Sequence, residues 1–267
     1  MLAEILTGRE FRVLMICLSV LALERARPWR KEQQWRRPQF YQDIFWFALN
    51  AFGLSFIFGD VFRVIARGLK TILALFSDVA SHPGLLASFS LPLQIVLALV
   101  ILDFVEWCIH NLLHRIPFLW RIHRLHHSIH HMDWMGNFRF HPFEILVYFT
   151  IRYIPALLLG ASKDAAIWAG SISLLIGNLN HSNLKLSFGP LRYILNSPMM
   201  HIWHHDAHPS KPAGVNFGIT LSIWDWIFTT AYMPKNAIPQ RLGFAADKRY
   251  PEAVWKRLLS PVVDLKK

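Results

Sequence analysis

Histidine carries the chemistry of this sequence. His110-Asn-Leu-Leu-His114, His123-Arg-Leu-His126-His127 and His201-Ile-Trp-His204-His205 are three clusters drawn from fourteen histidines. Residues three or four apart share one face of an α-helix, so each cluster presents two or three imidazoles toward a common point. Neutral imidazole is a good ligand for iron, zinc and copper. Eight imidazoles exceed the roughly four to six ligands that one ion takes, and the number points to two metals. With 14 histidines in 267 positions, a His-X-X-His-His triple is expected by chance only about 0.04 times, and the chain has two. Sulfur ligation is excluded, because Cys17 and Cys108 lie in separate apolar runs and no Cys-X-X-Cys spacing occurs. The first cluster lacks the glutamate of His-Glu-X-X-His, which removes the general base of a zinc metalloprotease. No P-loop or dinucleotide fingerprint is present.

The elements that must position these histidines are apolar helices. The chain is 54% hydrophobic with a mean hydropathy of +0.30, typical of a protein whose outer surface meets lipid. Apolar runs cover residues 11–23, 41–64, 91–109, 143–159 and 165–176. The first has the length of a signal-peptide core, but Glu4, Arg9 and Glu10 before it and Glu24-Arg25 after it favour a short or tilted membrane helix. Gly160-Ala161-Ser162-Lys163-Asp164 is the only break between the last two runs, which suits a helical hairpin.

The formal net charge of +11 does not point to nucleic acid, since no DNA- or RNA-reading motif appears. Arg25, Arg27, Arg30, Lys31, Arg36 and Arg37 form the densest basic loop and, by the positive-inside rule, a cytoplasmic one. Counting spans from it places every histidine-rich segment on the cytoplasmic face. The expected fold is all-α: a single domain over residues 1–267, an integral membrane bundle of four to five spans under a cytoplasmic, histidine-rich helical cap. A redox-capable dimetal centre beside a membrane suits activation of dioxygen and attack on an unreactive C–H bond.

The order of the motifs carries a resemblance. Residues 103–114 are followed by Leu119-Trp-Arg-Ile-His-Arg-Leu-His-His-Ser128, Phe138-Arg-Phe-His-Pro-Phe-Glu144, Asn180-His-Ser-Asn183, Pro198-Met-Met-His-Ile-Trp-His-His205, Asn216-Phe-Gly218 and Trp224-Asp225. Over residues 103–232 this pattern resembles the fatty acid hydroxylase and sterol desaturase superfamily of membrane diiron oxygenases. The resemblance implies two irons, with zinc as a substitute in a purified sample. It implies His110, His114, His123, His126, His127, His181, His201, His204 and His205 as ligands, His181 entering through its Asn-His-Ser-Asn context and not through helical spacing. It also implies O₂ and a lipid substrate that is hydroxylated or desaturated. No haem-binding cytochrome b5 module occurs in the 267 residues, so electrons are expected from a separate ferredoxin- or cytochrome b5-like donor.

Other residues take lesser parts. His141 and Glu144 are candidates to orient ligands or line the site. Asp133, Asp206, Asn137 and Asn216 are read either as outer acceptors and donors or as loop residues and helix caps. His130, His131 and His208 flank the clusters without being ligands, and His82 is remote. Trp107, Trp120, Trp134, Trp224 and Trp226 fit a substrate channel or an interfacial belt. The third cluster continues as Asp206-Ala-His208 where many relatives have a serine-led segment. Sterol, fatty acyl chain, carotenoid and ether lipid all stay open as substrate. So do a bacterial inner membrane and an endoplasmic reticulum membrane as location. The rival class is a membrane metal-binding or transport protein without oxygenase activity, and a silent scaffold that keeps the clusters for structure is a further one.

Overall fold

A computed structural model describes residues 8–54, 64, 67–68, 71, 84–235, 237–245 and 247–263. These residues are all-helical, and their only β-type pairings are three isolated bridges. The part of the expected second span beyond residue 54, most of the 67–83 loop, and His82 lie outside the described residues.

Helix α1 (Arg9–Ala26) buries Val13, Cys17, Val20 and Glu24, a spacing of three and four that marks one face. Its other face leaves Leu14, Met15, Leu18 and Leu23 exposed. Helix α2 (Phe40–Ala48) runs on into a π-helical turn, Leu49–Gly53. Within that turn the Asn50 amide donates to the carbonyls of Phe138 and Phe140, at 2.7 and 2.9 Å. Helix α3 (Leu91–Arg115) is the longest, with 25 residues; at 1.5 Å per residue it spans about 37 Å. Among the described residues it is the one helix long and apolar enough to cross a membrane by those criteria. It extends past the expected end of its apolar run and carries His110 and His114 on its last two turns. Ile116 then adopts an extended conformation before Pro117, which starts α4 (Pro117–His127) at once.

The apolar run 143–159 is not one helix. It forms α5 (Pro142–Ile151) and α6 (Ile154–Leu158), because Pro155 cannot donate to a continuous helical ladder. Helix α7 (Lys163–His181) begins at Ser162, whose hydroxyl accepts from the Ala165 N–H at 3.2 Å. It packs along α3, with Ala98, Ala156 and Ala169 fully buried where α3, α6 and α7 meet. Small side chains there let the backbones approach closely. Short helices α8 (Pro198–His201) and α9 (Ile223–Ile227) and the later α10 (Val254–Val263) follow.

Two cations of the expected basic loop, Arg30 and Arg37, turn inward, and Arg139 is internal as well. Arg37 is buried and pairs with Asp133 and Asp43, each at 2.6 Å. Arg139, also buried, pairs with Asp43 and donates to the Ser128 carbonyl at 2.7 Å. Arg30 reaches the Met132 carbonyl at 2.6 Å. These bonds clamp the segment between α4 and α5 against the basic loop. The indoles of Trp107, Trp134 and Trp224 have inward partners. Trp107 and Trp224 donate to the buried carboxylates of Asp225 and Asp103, both at 3.0 Å, and Trp134 packs on Phe47 in the core.

Candidate metal centre

The fold brings all nine predicted histidines together in two groups. His110, His114, His123, His127 and His204 form one; His126, His181, His201 and His205 form the other. Within each group the available nitrogens lie within 4.8 Å of one another. The groups abut, with the ring centres of His127 and His205 4.7 Å apart and those of His126 and His205 also 4.7 Å apart.

The first cluster converges as expected, but the second and third each divide between the two groups, and for the second helix geometry explains why. Successive residues on a helix are about 100° apart, so His126 and His127 cannot face one point. The pairs spaced by four stay together: His110 with His114, His123 with His127, and His201 with His205. His126 and His204 cross to the opposite groups. The third cluster is not a continuous helix either, since α8 ends at His201 and the chain turns through His204 and His205.

Distances inside the groups suit a shared cation. His110 Nε2 lies 3.1 Å from His123 Nε2, and His114 Nε2 lies 3.1 Å from His127 Nε2. His181 Nε2 lies 3.2 Å from His126 Nε2 and 3.3 Å from His201 Nε2. Two nitrogens each about 2.1 Å from one ion, at angles between square and tetrahedral, are about 3.0–3.4 Å apart. Buried nitrogens facing the groups also lack partners: His204 Nε2 and the ring nitrogens of His205. Unmatched groups of this kind are costly unless a ligand completes them. The donor set therefore fits metal ions.

The opposite nitrogens are tied down. His110 Nδ1 donates to the Phe217 carbonyl at 2.8 Å and His204 Nδ1 to the Val215 carbonyl at 2.8 Å. His114 bonds the Ala213 backbone, His181 Nδ1 the Gly177 carbonyl at 2.9 Å, and His123 Nδ1 the Glu144 carboxylate at 2.7 Å. Each bond selects the tautomer whose Nε2 lone pair is free. Burial, reinforced by neighbouring imidazoles, holds His123, His126, His127, His201 and His205 well below the usual imidazole value, and burial does the same for His204 beside His110. They are neutral, the form that ligates.

The loop supplying three of those carbonyls is itself held by two buried carboxylates the sequence reading had not assigned to the site. Asp225 accepts from the Phe217 and Gly218 N–H groups at 2.9 and 2.8 Å, from Trp107 at 3.0 Å and from Thr230 at 2.6 Å. Asp103, on α3 two turns before His110, accepts from the N–H groups of Thr220 and Leu221 at 2.7 and 3.1 Å. Asn216 sits in the left-handed region at φ 56° and binds the Met200 and Tyr232 carbonyls, at 2.8 and 2.7 Å. The signal for these was available, since an Asp inside an apolar run must find donors when buried.

Other candidates fall elsewhere. Asp133 pairs with Arg37 and caps the turn at Trp134, and Asp206 caps its own turn at His208. His141 caps α5 and bonds the Leu258 carbonyl at 3.0 Å. His130 pairs with Asp247, and neither His131 nor His208 belongs to the groups. Asn137 lines a cavity of about 490 Å³ that opens from His110, His123, His126 and His181 and runs between α1, α3, α5 and α7.

A family model for fatty acid hydroxylase matches residues 95–230, half of the chain. The chain belongs to the fatty acid hydroxylase family. Ornithine lipid hydroxylase OlsE of Rhizobium tropici is 30% identical over 239 residues, covering 86% of this chain and 69% of that relative. An alkylglycerol monooxygenase of Xenopus tropicalis is 27% identical over 51% of this chain and 30% of its own length. A very-long-chain aldehyde decarbonylase, GL1-6 of Oryza sativa subsp. indica, is 25% identical over 58% of this chain and 25% of its own length. No solved structure matches. The matched fatty acid hydroxylase region contains both histidine groups and both loop-holding aspartates.

Proposed function

We propose that this chain is an integral membrane diiron oxygenase that hydroxylates, or desaturates, a lipid. The observation that carries this reading is the abutting pair of histidine groups at the end of a largely apolar cavity, in a chain of the fatty acid hydroxylase family. The nine histidines would hold two irons, five nitrogens to one and four to the other. Bound iron supplies the activation of O₂. In hydroxylation one oxygen atom enters a C–H bond and the other leaves as water, with two electrons from a separate ferredoxin- or cytochrome b5-like protein and two protons from solvent. Neutral, pre-oriented imidazoles cost nothing further to arrange. The cavity binds the substrate and keeps bulk water from the reacting carbon.

The exposed apolar residues of α1 and α3, among them Leu14, Leu18, Leu93 and Val96, would face acyl chains. With α2, the α5–α6 pair and α7 they would form a multi-pass bundle of four to five spans, the histidine cap facing the cytoplasm of a bacterial inner membrane or an endoplasmic reticulum membrane. Ornithine lipid hydroxylase OlsE supports a membrane lipid as substrate.

Two measurements test the reading. Purified protein should contain two irons, and His126→Ala and His204→Ala should each lower that content, one from each group. Lipid profiling of cells with and without the gene should show one lipid gaining 16 mass units or losing two hydrogens. Unchanged lipids together with unchanged metal in both variants would sink it.

A further inference from the structure

The cavity is not uniformly apolar. Ile16, Ile145, Ile167, Leu174 and Ile219 line it, yet Glu106 and Arg152 line it too. Arg152 Nη1 lies 3.2 Å from Glu106 Oε1, and Ser173 Oγ is 3.5 Å from Glu106 Oε2. The other two nitrogens of that guanidinium, Nε and Nη2, are buried and have no hydrogen-bond partner. Their N–H groups lie on one edge of a planar fork, the geometry that grips oxygen acceptors. Donors left unmatched in apolar surroundings are costly, and a bound ligand that supplies an acceptor removes the cost.

We infer that Arg152, steadied by Glu106, binds the carbonyl oxygen of the ester or amide linkage of an acyl lipid, and so sets which carbon is oxidised. This rests on the oxygenase reading only for the oxidation step. Charge selects the kind of acceptor. Glu106 already pairs with Arg152, and Arg9 and Arg12 line the same cavity, so a neutral carbonyl can satisfy the free edge of the fork without competing for the Glu106 pair. A carbonyl oxygen offers two lone pairs to the two N–H groups. Position selects the carbon. Glu106 precedes His110 by one helical turn, about 6 Å along α3. A carbonyl held on the Nε–Nη2 edge of Arg152, in the cavity that opens from the histidines, fixes how far along the acyl chain the histidine groups meet it.

The test compares two probes in maltoside detergent: a diacyl phospholipid and its dialkyl-ether counterpart of the same headgroup and chain length, which lacks the carbonyls. Binding is read by native mass spectrometry. The wild-type protein should bind the diacyl probe about tenfold more tightly or better, as suits a charged donor fork on a neutral acceptor. Arg152→Met should bring the two affinities within about twofold, and Arg152→Lys, which keeps the charge beside Glu106 but not the fork, should fall between. Equal binding by wild type overturns the inference, as does an undiminished preference in Arg152→Met protein with wild-type metal content. Should Arg152→Met fail to fold, an undiminished preference in Arg152→Lys overturns it equally. No turnover is needed, so a protein that separates the probes but oxidises no lipid keeps this inference and overturns the oxygenase reading. One that oxidises both probes and prefers neither does the reverse.

Discussion

Replacing Asp225 should weaken one histidine group far more than the other. Its carboxylate is fully buried and accepts four hydrogen bonds, from Phe217 N–H, Gly218 N–H, Trp107 and Thr230. In Asp225→Asn one oxygen becomes an amide donor. The best rotamer keeps oxygen toward Phe217, Trp107 and Thr230 and turns the NH₂ onto the Gly218 N–H, donor against donor. Loss of one charge-assisted bond and the unmatched pair cost about 2–4 kcal/mol at this loop. The loop's carbonyls at Phe217 and Val215 orient His110 and His204, both in the five-nitrogen group. Loosening such outer partners typically costs about 10–100-fold in metal affinity. The four-nitrogen group is oriented through His181 on Gly177 of its own helix and meets this loop only through neighbours of its ligands, Asn216 on the Met200 carbonyl and Asn180 on the Ile219 carbonyl, so the change should weaken it far less. Anaerobic titration of metal-free protein with ferrous iron against a chelator should give two tight sites in wild type, and one tight and one weak in the variant. Loss of both sites alike, or of neither, would refute the assignment of that loop to the five-nitrogen group.

Glu144→Gln keeps an acceptor for His123 and should lower metal affinity less than Glu144→Leu, which should lose about 10–100-fold; equal losses would mean the carboxylate does not orient the ring. Metal-free protein should lose stability in acid. His123, His126, His127, His201, His204 and His205 have folded values well below 6.5, so the unfolded chain binds more protons beneath that pH. Stability is fully present above about 6.5 and falls by up to about 1.4 kcal/mol per pH unit for each such histidine, so Tm should be flat near neutrality and drop on acidification; a rise in acid would contradict it. Arg37→Ala leaves Asp133 and Asp43 short of a buried partner and should cost about 3–5 kcal/mol in thermal or denaturant unfolding, with both metal affinities unchanged in whatever fraction folds.

What could be read from the sequence divides along a physical line. The histidine clusters were legible because a spacing of four survives any helix, and the pairs 110/114 and 123/127 do stay together; 201/205 stay together too, across a turn beyond α8 and not along a helix. Where His126 and His204 go was not legible, since it depends on how α4 and the turn after α8 face each other. His181 was visible only through resemblance, because nothing near it repeats. The break between α5 and α6 hides inside unbroken hydropathy, marked by Pro155 alone. The positive-inside rule counts Arg37 among exposed cations, yet its partner Asp133 lies 96 residues away, and only the fold unites them. Least legible of all were the Ala213, Val215 and Phe217 carbonyls, because every residue carries that group and side-chain identity says nothing about its use. Asp103 and Asp225 are the exception that points to them. A carboxylate in apolar surroundings cannot be left without donors, and following each to its N–H partners leads to the loop that orients the histidines. In a chain of apolar helices the acid within a hydrophobic run is thus as informative about the site as the ligand cluster itself, and Glu106, paired with Arg152 beside the cavity, extends the same logic to the proposed substrate contact.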